Sequence, residues 1–232
     1  TSLNSLAWLY QSLGRYDDAL PLYRRSLAIR EKVLGPEHPD TATSLDSLAG
    51  LYDSMSAYAK AEPIYLRALA IREKSLGLEH PDTAKSLNHL ALLYMALGAY
   101  AKAAPLLSRA LAIDETVLGL EHPDTAASIN NLAGLYDSMG DYAKAEPLYL
   151  RALAIREKVL GPEHPDTARS LNNLAALYRT IGAYAKAEPM YLRALTIDEK
   201  VFGLEHPTSA RTMNNLAALY DSIGAYDRAE PL

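Results

Sequence analysis

The chain has 232 residues, a formal net charge of −5 and a sequence pI of about 5.7. This acidic balance argues against nucleic acid as the main partner, and the absence of cysteine excludes disulfides and cysteine-based zinc sites. The sequence contains no run of ~18 apolar residues, the length that a membrane-spanning helix needs. No signal peptide is visible either, so we expect a cytoplasmic protein.

A repeat of 42 residues organises the chain. The triplet Glu-His-Pro recurs at this spacing, and the block 41–82 is identical to the block 125–166 at 33 of 42 positions. A fixed period in this range is typical of stacked repeat arrays. We therefore predict one array of about five and a half repeats, forming part of a longer protein. The predicted repeats are 1–40, 41–82, 83–124, 125–166, 167–208 and 209–232.

The first helix of each repeat is predicted to start at the Pro-Asp pair that ends the block before it. Pro81 and Asp82 are an example: in the first turn of a helix proline loses no hydrogen bond and aspartate complements the helix dipole. Within the repeat 41–82, Leu45, Leu48 and Tyr52 have the apolar spacing of one helix face.

A short turn and a second helix complete the repeat. Most copies carry glycine at the turn, where a positive φ is needed, whereas one copy carries Ser56. The second helix is predicted to span roughly 18 residues and to stop at Gly77. Pro63 lies about one turn into this helix, so we expect a slight bend or a late helix start there.

The pattern of these helices resembles the tetratricopeptide repeat. Leu45, Leu48 and Tyr52 match the first helix of that family, and Ala61 and Tyr65 match its second. The longer unit is similar to the repeats of kinesin light chain. The resemblance covers essentially the whole chain and implies an all-α, right-handed superhelical solenoid of antiparallel helix pairs. It also implies that the first helices line a concave groove in which peptides bind.

Several notable residues have structural explanations. All 16 tyrosines fall at three repeat positions, which indicates packing residues. The loop histidines stand alone in each repeat, which favours a structural role over metal binding. No nucleophile–base pattern or phosphate-binding glycine loop is present, so we expect neither an enzyme nor a cofactor.

The candidate site is the face of the first helices opposite the core. Asparagines recur there, and their amides can both donate to and accept from a peptide backbone. The alternative is a ladder of amides that links adjacent first helices, and both roles stay open. The candidate asparagines are Asn88, Asn130, Asn131, Asn172, Asn173, Asn214 and Asn215.

Three arginines and one tryptophan complete the candidate site. Arg169, Arg179 and Arg211 lie on the same predicted face in the C-terminal half, which suggests an acidic peptide. Trp8 occupies a position where most copies have glycine or alanine, and is a candidate anchor or an end-packing residue.

The sequence thus predicts a protein-interaction scaffold that binds an extended or short helical peptide. The alternative function is a regulatory or sensor arm of a larger bacterial effector enzyme, such as a protease or signalling ATPase. Self-association through uncapped ends is a third possibility.

Overall fold

The computed structural model describes residues 2–231, except for the side chain of Ser2. Its contacts divide the chain into two compact units, unit 1 at Thr1–Leu118 and unit 2 at Gly119–Leu232. The predicted all-α class is confirmed, because the described residues form helices and connecting turns without a strand.

Unit 1 consists of three helix pairs. Their bounds are α1 Ser2–Ser12, α2 Tyr16–Leu34, α3 Pro39–Ser54, α4 Tyr58–Ser75, α5 Pro81–Ala96 and α6 Tyr100–Val117. The first helix of each pair packs against the second, and within the unit α2 packs against α3 and α4 against α5. The first helices also contact one another, α1 with α3 and α3 with α5.

Unit 2 repeats this arrangement. Its helices are α7 Pro123–Ser138, α8 Tyr142–Val159, α9 Pro165–Thr180, α10 Tyr184–Phe202, α11 Pro207–Ser222 and the short α12 Tyr226–Ala229. Here α9 contacts both α7 and α11.

Small residues allow the helices of a pair to approach closely. Ala145 and Ala187 are fully buried near the starts of α8 and α10, and Tyr149 and Tyr191 pack into the same core. The tyrosines are packing residues in the first helices and in the body of the second, as predicted. At the turn position they are only half-buried, and Tyr226 is 67% exposed.

The turns and helix starts follow the sequence prediction closely. Gly98 has φ 68°, and Ser56 adopts φ 55° at the same turn position, the one non-glycine residue with a positive φ in the described chain. The first helices of repeats 2–6 begin at proline, and α4 has the predicted length of 18 residues.

Of the two alternatives predicted at proline, a slight bend or a late helix start, the late start is wrong. Helix α4 begins at Tyr58, five residues before Pro63, and runs through it. Pro63 removes the donor that the carbonyl of Ala59 would use, but the ring is exposed, so water can replace the lost bond. The same holds for the prolines inside α2, α6, α8 and α10.

None of the described helices combines the length and the apolar character that a membrane crossing requires.

Candidate functional site

The loop histidines cap the first helices. Nδ1 of His80 accepts a hydrogen bond from the backbone N–H of Asp82 over 3.1 Å, which satisfies one of the unpaired donors at the start of α5. His38, His122, His164 and His206 do the same for their helices. These contacts support the structural interpretation of the histidines, and the capping role itself was not predicted from the sequence.

The asparagines form two columns along the first helices. We call Asn88, Asn130, Asn172 and Asn214 the inner column and Asn131, Asn173 and Asn215 the outer column.

In unit 2 the two columns are joined by hydrogen bonds. Nδ2 of Asn173 donates to Oδ1 of Asn130 over 3.0 Å, and Nδ2 of Asn215 donates to Oδ1 of Asn172 over 3.4 Å. The amide ladder that was one of the two sequence interpretations is thus present.

These asparagines also differ in how deeply their side chains are buried. Asn130 and Asn172 are buried, with exposures of 9% and 5%, and Asn172 also donates to Oγ1 of Thr212 over 2.6 Å. The outer-column residues Asn173 and Asn215 are half-buried. Their Oδ1 atoms accept no hydrogen bond from the described residues, so each keeps one acceptor for a ligand. Asn214 is exposed, and Asn88 and Asn131 are half-buried.

The three arginines differ in their surroundings. Arg169 is about half exposed and lies 3.0 Å from Oδ1 of Asp166, so its charge has a local partner. Arg211 is exposed and makes no ion pair or hydrogen bond with the described residues. Arg179 is half-buried, and its Nε is enclosed without a hydrogen-bond partner among residues 2–231.

Arg179 belongs to a pairing between the two helices of a repeat. Its guanidinium lies near the hydroxyl of Tyr191, twelve residues later; burial raises the pKa of that hydroxyl and the arginine offsets part of the rise. In the first repeat the hydroxyl of Tyr23 donates to Oε1 of Gln11 over 3.0 Å.

The third repeat has Met95 and Leu107 at these two positions. Where the second helix carries a tyrosine at this position, the first helix of the same repeat places a polar side chain near its hydroxyl. Where the second helix carries Leu107, the first helix has the apolar Met95. Comparing positions twelve residues apart would have revealed this pairing from the sequence.

Asp53 and Asp137 occupy the same position as Arg179 in other repeats. Both carboxylates are half-buried, and burial raises the pKa of each. For Asp53 the nearby His89 imidazole offsets part of that rise.

Sequence reasoning missed a set of buried charges beneath this face. Arg72 is 5% exposed and donates to the carboxylate of Asp46, the hydroxyl of Ser86 and, over 3.3 Å, the hydroxyl of Thr43. The equivalent residues Asp114, Arg156 and Asp198 are also buried.

The hydroxyl groups beside these charges reverse their hydrogen-bonding role with the sign of the charge. Arg156 donates to Oγ of Ser170 over 2.6 Å, whereas Asp198 accepts from Oγ1 of Thr212 over 2.7 Å. Burial, together with the neighbouring Arg169, lowers the pKa of Arg156 to about 10.

Trp8 is 65% exposed on α1, so it is accessible, as an anchor must be. Among residues 2–231 no group of three or more histidines and carboxylates could hold a metal ion.

The sequence pattern of the tetratricopeptide repeat family matches residues 1–74, 54–116, 82–158, 138–200 and 182–232. The chain belongs to the tetratricopeptide repeat family. Its similar solved structures include kinesin-light-chain-like repeats, and the family and fold together support a role as a protein-interaction scaffold.

Solved structures of tetratricopeptide repeats are similar to this chain. Nearly identical repeats from a Podosopora anserina protein assigned to the kinesin light chains share 33% identity, with a TM-score of 0.67 over 86% of this chain and 94% of that one. BtubC from P. vanneervenii shares 27% identity, with a TM-score of 0.70 over 96% and 87% of the two chains.

A Rap protein in complex with competence and sporulation factor has a TM-score of 0.71 at 18% identity, over 98% of this chain and 71% of that one, and shows a common fold alone. No curated protein matches the chain.

Proposed function

We propose that the chain is a scaffold whose first-helix face in unit 2 binds an acidic peptide in extended conformation. The proposal depends mainly on Asn173 and Asn215. Each is half-buried, each is held in place by its hydrogen bond to the inner column, and each keeps an Oδ1 acceptor. An acceptor that is already oriented costs little conformational entropy when a backbone N–H of the ligand binds it.

The arginines supply the preference for acidic ligands. Arg169 and Arg211 lie four residues before Asn173 and Asn215, so each neighbours an outer-column amide on the helix surface. A guanidinium binds a carboxylate through two parallel hydrogen bonds, which would select both charge and direction. Arg211 is the stronger candidate, because Arg169 already has Asp166 as a partner.

The experiment is a selection of random peptides for binding, followed by affinity measurements on variants. Replacing Asn173 and Asn215 together with alanine should weaken binding by ~1–3 kcal/mol for each amide. Replacing Arg211 with glutamine should cost only ~0.2–1 kcal/mol and should reduce the salt dependence.

Lys200→Gln is the matched control for charge. It removes one positive charge from an exposed residue of α10 that pairs with Glu163, away from the first-helix face. Selected peptides without acidic residues would contradict the charge preference. Unchanged affinity in the folded double asparagine variant would assign those amides to the ladder alone.

A further inference from the structure

Gly50 lies between two larger residues along the first-helix face of unit 1. Trp8, Gly50 and Leu92 occupy the same repeat position on α1, α3 and α5, and the two large residues are 65% and 40% exposed. We call the space left by the missing side chain of Gly50 the Gly50 cleft. A methyl group placed there would lie 3.5 Å from the hydroxyl of Tyr65, so that hydroxyl borders the space.

Two carboxylates adjoin the same hydroxyl. The pKa of Tyr65 is raised by burial and, further, by the negative charges of Asp53 and Asp46. His89 completes the cluster: its ring centroid is 5.9 Å from that of Tyr65, and its Nδ1 is 3.7 Å from Oδ2 of Asp46. Tyr65, His89 and Asp46 thus lie together, and Asp53 is near enough to act electrostatically on Tyr65 and to be acted on by His89.

The hydrogen-bonding capacity of these carboxylates is incompletely used. Asp46 is 8% exposed; its Oδ2 accepts from Arg72, but its Oδ1 is buried and has no partner among the described residues. The side chain of Asp53 is half-buried and forms neither a hydrogen bond nor an ion pair with residues 2–231. Arg72 donates to the carboxylate of Asp46 and not to that of Asp53. A buried carboxylate oxygen without a donor is costly, so the cluster favours an incoming cation that donates hydrogen bonds.

We infer that the Gly50 cleft binds a basic side chain, an arginine or a lysine, of a peptide ligand. Its guanidinium or ammonium group would donate to Asp53 and to the unpaired oxygen of Asp46, and its methylene groups would pack against Trp8 or Leu92. The inference rests on the proposed function only in taking the ligand to be a peptide, since it concerns unit 1 and different residues.

Unit 2 provides a comparison within the same chain. Asp137 and Tyr149 correspond to Asp53 and Tyr65, but the position of Asp46 is taken by Asn130 and that of His89 by Asn173. The second carboxylate is therefore an amide, which is already bonded to Asn173. We therefore expect a basic side chain to bind at Gly50 in unit 1 more tightly than at the equivalent position in unit 2.

The experiment is an NMR titration of the chain with the capped peptides Ala-Ala-Arg-Ala-Ala and Ala-Ala-Gln-Ala-Ala. We expect the arginine peptide to shift the backbone amides of Gly50, Asp53 and His89, and to bind about tenfold more tightly than the glutamine peptide. Asp53→Asn should abolish this preference, and Asp137→Asn, its matched control, should leave it unchanged.

Gly50→Leu tests the cleft without altering charge. Leucine is the residue at the equivalent position 92 of the next repeat, where the second helix carries Leu107 in place of tyrosine. Circular dichroism therefore checks that the variant is folded, and we expect the folded variant to lose the arginine peptide. Equal binding of the two peptides, or full binding by both Asp53→Asn and Gly50→Leu, would overturn the inference. Failure of the unit 2 peptide selection would leave these outcomes unaffected.

Discussion

The amide of Asn173 donates to Oδ1 of Asn130 across 3.0 Å and so connects α9 to α7 through two side chains 43 residues apart. If this bond stabilises the stack, the two residues must be energetically coupled. We expect a coupling free energy of about 0.5–1.5 kcal/mol in a double-mutant cycle of Asn130→Ala and Asn173→Ala. The measurement is urea denaturation of the four proteins. Additive losses would show that the amides contribute to stability independently.

Ser56 should be improved by glycine. Its φ of 55° lies in the left-handed region, which costs a residue with a Cβ about 1–2 kcal/mol. We expect Ser56→Gly to raise the free energy of unfolding by up to about 1 kcal/mol, because added flexibility of the unfolded chain offsets part of the gain. Gly140→Ser, at φ 75°, is the reverse change and should destabilise. Chemical denaturation of both variants checks the pair, and a stabilising Gly140→Ser would contradict the argument.

Ala145 should not accept a larger side chain. It is fully buried where α8 packs against its neighbours, so Ala145→Leu is expected to cost ~1–3 kcal/mol. Ala143→Leu places the same side chain on an exposed position of the same helix and serves as the control. Thermal unfolding of the two variants should show a lower Tm for Ala145→Leu alone. Because repeats couple to their neighbours, hydrogen exchange should quicken in α9 as well. Equal melting temperatures would show that the site is loosely packed.

The buried arginines should differ in their tolerance of aspartate. Arg72→Asp would place a carboxylate beside Asp46, and we expect a loss of about 3–5 kcal/mol. Arg156→Asp should cost much less, because its repeat carries Asn130 at the position of Asp46 and because the change removes the repulsion from Arg169. Equilibrium unfolding measures both variants, and equal losses would refute this distinction.

Stability should depend on pH through Asp53 and Asp137. Burial raises the pKa of both carboxyls above 3.8 in the folded chain, so the folded state binds protons more tightly than the unfolded state. Stability therefore falls as pH rises from 3.8 through the raised pKa, and the loss persists at neutral pH. Asp53→Asn and Asp137→Asn should each raise the Tm at pH 7 and leave it almost unchanged at pH 3. A similar increase at both pH values would point to a cause other than charge.

The period and the apolar spacing were enough to predict the helix pairs. They predicted the length of α4 and the starts of the later first helices, because each repeat restates the same local signals. The prediction of a late helix start at Pro63 was wrong because it used only the general rule that proline is disfavoured inside a helix. It did not consider that Pro63 lies on the exposed side of α4, where water can bond the freed carbonyl.

The candidate site was harder to predict because burial arises between repeats. Arg72 and Asp114 occupy the same repeat position and carry opposite charges. Exposed positions that vary between repeats show the same pattern in a sequence. Packing between helices buries Arg72, where α5 brings Ser86 against its guanidinium. For the same reason the sequence could not distinguish ladder amides from ligand-binding amides, whereas burial separates Asn172 from Asn173.

The hydroxyl groups beside Arg72, Arg156 and Asp198 have a consequence for how such a chain changes in length. Ser86 and Ser170 accept from an arginine, whereas Thr212 donates to an aspartate, so a hydroxyl is compatible with either sign of charge in the preceding repeat. The opposite charges of Asp46 and Arg72 pair within one repeat. At these buried charges, whole copies can therefore be duplicated or lost by recombination without a compensating mutation in the copy next to them.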